Sequence, residues 1–163
     1  MRVVVTTLAL LAAVILVGGA SIAVLNRDIP DYAVPDGPWK AGTALDGLTF
    51  FTFDRVIETE DEILDALVFR DGKFQSAMCQ VYCDFGWHDY RTFIDGETLH
   101  FTTTTRCPDA PHTVVFYGTV VDGAVTFEGT WTTRRWYWTH QVNVVGRGTL
   151  VPSEEHIAAG IAG

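Results

Sequence analysis

The chain has 163 residues, 48% hydrophobic and 19% charged, with 15 Gly and 6 Pro, a composition that excludes collagen-like, low-complexity and disordered chains. Twenty Asp and Glu against eleven Lys and Arg leave a net charge of -9, whereas a nucleic-acid binder needs a basic face to neutralise phosphate, so no nucleic-acid partner is expected. The length suits one modest domain.

Residues 3–25, from Val3 to Leu25, carry no charge; Arg2 precedes them and Asn26, Arg27 and Asp28 follow. The pattern reads as an export segment. As a cleaved signal peptide it would have an apolar core from Val3 to Val17, with Gly18-Gly19-Ala20 or Ser21-Ile22-Ala23 as the cleavage site. As a membrane anchor it reaches the required length of about 20 apolar residues once Ile22 to Leu25 are counted, and the apolar run does continue past both candidate sites. In either case Arg2 holds the N-terminus in the cytoplasm and everything after Asn26 lies outside. The expected location is therefore the cell membrane with an extracytoplasmic domain, or the periplasm or medium if the signal is cleaved.

Residues 26–46 contain Pro30, Pro35 and Pro38 and no apolar periodicity, which predicts an extended tether. The domain is expected to span 47–151, beginning at Gly47. The tail, 152–163, predicts one short helical turn after Ser153.

Three Asp-Gly pairs punctuate the domain: Asp71-Gly72, Asp95-Gly96 and Asp122-Gly123. Between apolar or alternating runs this pair is the strongest short-range hairpin signal, because a type I′ turn needs positive φ at both central positions. Strands are predicted at 48–54, 63–70, 73–80, 88–94, 97–105, 112–121, 124–132 and 140–151. The seventh shows the pattern most cleanly, with Val125, Phe127, Gly129 and Trp131 on one face and Thr126, Glu128 and Thr130 on the other. Eight antiparallel strands in an open sheet would leave two exposed edges, and closure removes both. An all-β, eight-stranded antiparallel up-and-down barrel is expected, with a two-sheet β-sandwich as the alternative.

In a meander the connections alternate between ends, so the three Asp-Gly turns fall at one end. Four longer connections, Arg55–Glu62, Val81–Trp87, Arg106–Pro111 and Thr133–Thr139, fall at the other. Barrels of this size fill with side chains or hold one small ligand, and binding groups gather on loops carried by such a scaffold.

The run Phe69-Arg70-Asp71-Gly72-Lys73-Phe74 with Ser76, Cys79, Tyr82, Phe85-Gly86, Gly118-Thr119-Val120 and Glu128-Gly129-Thr130-Trp131 resembles a group of exported bacterial proteins of unassigned function with a lipocalin-like (calycin) barrel. Gly37-Pro38-Trp39 resembles the Gly-x-Trp signature near the first lipocalin strand. The resemblance implies small apolar ligands rather than chemistry.

Cys83 follows the third predicted strand and Cys107 the fifth, at the same end and about 10 Å apart before the loops relax, so a Cys83–Cys107 disulfide is expected in an oxidising compartment. Cys79 is read as a small buried hydrophobe, with pairing to Cys107 left open. His88, His100, His112, His140 and His156 form no metal spacing, and no nucleophile elbow occurs. No catalytic residues, metal or cofactor are expected. Glu58, Glu60, Asp61 and Glu62 read as a solvated loop.

Arg134-Arg135-Trp136-Tyr137-Trp138 is the most unusual segment. With Trp87 and His88 it could form a mouth that stacks on a planar or amphipathic ligand and pairs with an anionic head group. Alternatively Trp136 and Trp138 point inward as core while Arg135 and Tyr137 face water. Two functions follow: an extracytoplasmic module for a small apolar or amphipathic ligand at the long-loop end, or an envelope protein-protein interaction domain on a filled barrel.

Overall fold

The computed structural model describes residues 34–161; the predicted membrane or signal segment lies outside them. Nine strands form one antiparallel sheet: β1 (Lys40–Ala41), β2 (Thr49–Val56), β3 (Glu62–Arg70), β4 (Lys73–Ser76), β5 (His88–Asp95), β6 (Thr98–Arg106), β7 (His112–Val121), β8 (Ala124–Arg135) and β9 (Trp138–Thr149). Two short helices, α1 (Ala77–Cys83) and α2 (Glu154–Ala158), complete it. The strands from β2 to β9 pair with their chain neighbours, β2 also pairs β9, and the sheet closes in a ring. No described helix is long and apolar enough to cross a membrane.

Turn chemistry explains one end of the ring. Asp71-Gly72 and Asp122-Gly123 have φ of 53° and 74°, and 49° and 76°, the paired positive values of the type I′ turn. The third turn slips by one residue. Asp95 pairs with Thr98, so Gly96 and Glu97 form the loop, and only Gly96 has positive φ, at 58°. All three turns sit at one end, where Thr149 pairs with Ala124 and Phe51.

Alternation fills the interior. Phe50, Leu67, Phe69, Phe74, Tyr90, Phe101, Phe116, Val125 and Phe127 point inward and are buried. Phe69 is the hub, its ring 6.1 Å from Phe50, 5.2 Å from Phe74, 5.0 Å from Tyr90 and 5.3 Å from Phe101. Such edge-to-face pairs add about 0.5–1.5 kcal/mol each beyond their buried area. The ring is packed with side chains through this half.

Three expectations need correction, and a fourth is met with an unforeseen contact. The third strand stops at Ser76, whose hydroxyl accepts from the Cys79 N–H and caps α1, so residues 77–80 are helical. Thr133–Thr139 is no long loop: β8 and β9 run on to the pair Arg135–Trp138, leaving a two-residue turn at Trp136 and Tyr137. The described part of the predicted tether, 34–46, is packed against the ring. Lys40 and Ala41 pair with β5, Trp39 lies edge-on to Phe93 at 4.5 Å, and Leu45 is buried. Lastly, the tail does form the helical turn after Ser153, but His156 within it is among the most buried side chains, its Nε2 3.0 Å from the Thr52 carbonyl oxygen.

Candidate functional site

The end opposite the Asp-Gly turns is built around α1. Asp65, inward on β3, accepts from the Ser76 hydroxyl at 2.6 Å and from the Met78 N–H at 2.9 Å, so a buried carboxyl holds the start of the helix against the ring. Cys79 faces the core, and burial pushes its thiol up to about 12. Cys83 is bonded to Cys107 on the β6–β7 connection, with Cα atoms 5.7 Å apart. Past the helix, Asp84 adopts the left-handed conformation that ends it. Tyr82 of α1 and Phe85 beyond it lie 5.9 and 5.3 Å from the ring of Trp131 on β8, and His112 lies 5.3 Å from it. The helix therefore spans from the β4 side to the β8 side as a cap.

The β8–β9 hairpin projects beside this cap. Its last pair with β7 is His112–Thr133, and its last with β2 is Val56–Val144, so the tip extends past both neighbours. Trp136 is 76% exposed, and its ring lies 5.0 Å from that of Tyr137. This overturns the inward core reading for Trp136; Trp138 is half-buried. Arg134 and Arg135 are both exposed. The acidic loop braces the hairpin's base, since the Glu58 carboxylate accepts from the Asn143 backbone N–H at 2.9 Å and from its side-chain amide at 2.8 Å.

Trp87 and His88 belong to a different part of the ring. β4 and β5 lie across the ring from β8 and β9. There Trp87 lies under the Arg70 guanidinium, 4.5 Å from its ring centroid. His88 is 2.7 Å from the Phe85 carbonyl oxygen and 3.2 Å from the Arg106 N, fixing the connection between α1 and β5. The predicted seven-residue mouth is thus two separate groups: Arg134 to Trp138 at the hairpin, and Trp87 with His88 on the far wall.

Two features escaped the sequence. Asp54 on β2 is 5% exposed and points inward beside Asp65; burial first, and then the Asp65 charge, push its carboxyl up to about 8. Neither Asp54 Oδ1 nor Thr52 Oγ1 has a hydrogen-bond partner among the described residues. The alternation Phe50, Thr52, Asp54 put Asp54 on the inward face, and that was the available signal. The second feature is a cavity of about 1240 Å3 on the outside of the ring, across β3, β2, β9, β8 and β7. Among the described residues no group of three or more His, Cys, Asp or Glu could hold a metal ion. Comparison with family models, curated proteins and solved structures gives no match.

Proposed function

We propose that this protein is an extracytoplasmic interaction module: a small lipocalin-like barrel whose loop end, formed by α1 and the β8–β9 hairpin, docks a protein partner. One observation carries the reading. The aromatic side chains that would have to vacate the interior for a lipocalin-type ligand are packed on one another, while Val81, Tyr82, Trp136 and Tyr137 stand exposed at the loop end. Exposed aromatics beside Arg are the residue types enriched in protein interfaces. The guanidiniums of Arg134 and Arg135 suit a partner surface with carboxylates. The Cys83–Cys107 bond supports an oxidising compartment, and residues 3–25 supply either a membrane tether or a cleaved signal.

Site-specific photo-crosslinking in intact cells tests this. A crosslinker at position 137 should capture one defined protein that a crosslinker at position 122, on the opposite end, does not. The Arg134→Ser, Arg135→Ser double variant should lose that product. Equal capture from both positions, or none from either, rules the reading out.

A further inference from the structure

The outer-wall cavity lies apart from the docking surface and has its own chemistry. A closed ring is convex outside, so a trough on it needs raised banks; α2, folded back after β9, supplies one through Glu155, and Tyr117 of β7 stands on the other side. On the β7 side Tyr117 lines the cavity. His100 Nδ1 sits 2.9 Å from its hydroxyl oxygen, His100 stacks on Phe93 at 4.3 Å, and Trp39 meets Tyr117 edge-on at 6.5 Å. On the β2 side Glu155 of α2 lines it, and α2 is held there by His156, whose ring is 4.8 Å from Phe53.

The floor between these banks is apolar where Phe53, Leu64 and Val145 meet, and Phe53 is 45% exposed. Two cations stand on it. Arg147 is opposite Phe53, and Arg55 is opposite Val145 on one side and Glu62 on the other. The ion pairs found among the described residues are Arg70–Asp71 and Lys73–Asp89, so neither Arg55 nor Arg147 is paired with Glu62, Glu128 or Glu155, which line the same cavity.

We infer that this trough binds one amphipathic molecule carrying both a negative and a positive charge, of the phosphoethanolamine-lipid type. A purely anionic ligand would face the carboxylates of Glu62, Glu128 and Glu155, with Asp54 lining the cavity from its buried side, and a purely cationic one would face two guanidiniums. A zwitterion places its phosphate on Arg55 and Arg147, its amine on the glutamates and its chain on Phe53. The volume exceeds that of a typical drug-sized site, with space for a head group and part of a chain.

The test uses the full chain and a phosphatidylethanolamine bearing a photoactivatable diazirine in its acyl chain. The probe is supplied once as a short-chain monomer and once in vesicles. Adducts should map to peptides containing Phe53, Leu64 or Val145. The exposed pair Arg55→Gln, Arg147→Gln should cut labelling at least about tenfold, since both charge-assisted contacts to the phosphate are lost. Glu62→Gln with Glu128→Gln should also weaken it, while raising labelling by a diazirine fatty acid, which carries only negative charge. Labelling from the monomer identifies a free amphiphile and labelling from vesicles alone a bilayer lipid; either supports the site. Adducts elsewhere, labelling unchanged in the arginine pair, or equal labelling of the native protein by the fatty acid overturns it.

Discussion

The half of the ring nearest the Asp-Gly turns and the half nearest α1 bury different chemistry. The turn half is aromatic, with Phe50, Phe74 and Phe101 each against Phe69, and its turns are short. The loop half sinks Asp54, Asp65, Thr103 and Thr105 below the surface and is closed by a helix held covalently. Burying a carboxyl costs free energy unless it is neutral or fully hydrogen-bonded. The difference teaches that the cross-link lies where buried carboxyls and hydroxyls interrupt the apolar core, leaving the turn half as its most uniformly apolar part.

The sharpest way to break this comparison is to cut into the turn half. Phe69→Ala should cost about 3–5 kcal/mol in denaturant unfolding under oxidising conditions. A loss below about 1 kcal/mol would show that the aromatic half is not the foundation.

Next in size is the covalent closure. Cys83 and Cys107 are 24 residues apart, and in the chain-entropy model Cys83→Ser should cost about 3–4 kcal/mol. Cys79→Ser should cost less, through packing alone. Thermal melts of the two variants side by side decide; a larger loss at Cys79 would reverse the assignment of roles.

The buried acid gives a pH test. Asp54 keeps its proton in the folded chain up to about pH 8, whereas the unfolded chain gives it up near 3.8. Between those values unfolding releases a proton, so this group makes stability fall as pH rises, and the fall ends above about 8. Asp54→Asn should therefore gain stability relative to the native chain at pH 8 more than at pH 5. A difference that does not change with pH would remove the buried-acid account of the loop half.

The smallest expected effect is at the hairpin tip. Trp136→Ser should change stability by no more than about 0.5 kcal/mol, since the ring is largely exposed, while reducing crosslinking from position 137. A large drop in melting temperature would make the tip part of the fold rather than a docking surface.

The strands and the shared end of the three turns were legible because alternation and Asp-Gly pairs are local signals. The disulfide was legible because strand order alone brings Cys83 and Cys107 to one end. The helix at Ala77–Cys83 was not, because its one local sign, the Ser76 cap on the Cys79 N–H, is secured by Asp65 eleven residues earlier, and residues 77–80 read as the continuation of the strand from Lys73. The hairpin misled for the opposite reason. Residues 133–139 look like a loop because Arg and Trp break the alternation, yet pairing between β8 and β9 carries the ladder through them. The burial of His156 depends on a contact 104 residues away and leaves no local trace.

The seam between β4 and β5 rests on two residue pairs, Lys73–Asp89 and Phe74–His88, and β1 pairs with Arg91 and Thr92 further along that edge of β5. The polypeptide entering from the N-terminal side is thus the strip that covers the weakest joint. Tension on that segment peels Lys40 from Thr92 and then Ala41 from Arg91, one pair at a time. A pull on the chain would therefore bear first on the wall beside Tyr90 and its hydrogen bond to Asp46, and reach the rest of the aromatic interior only through that ring.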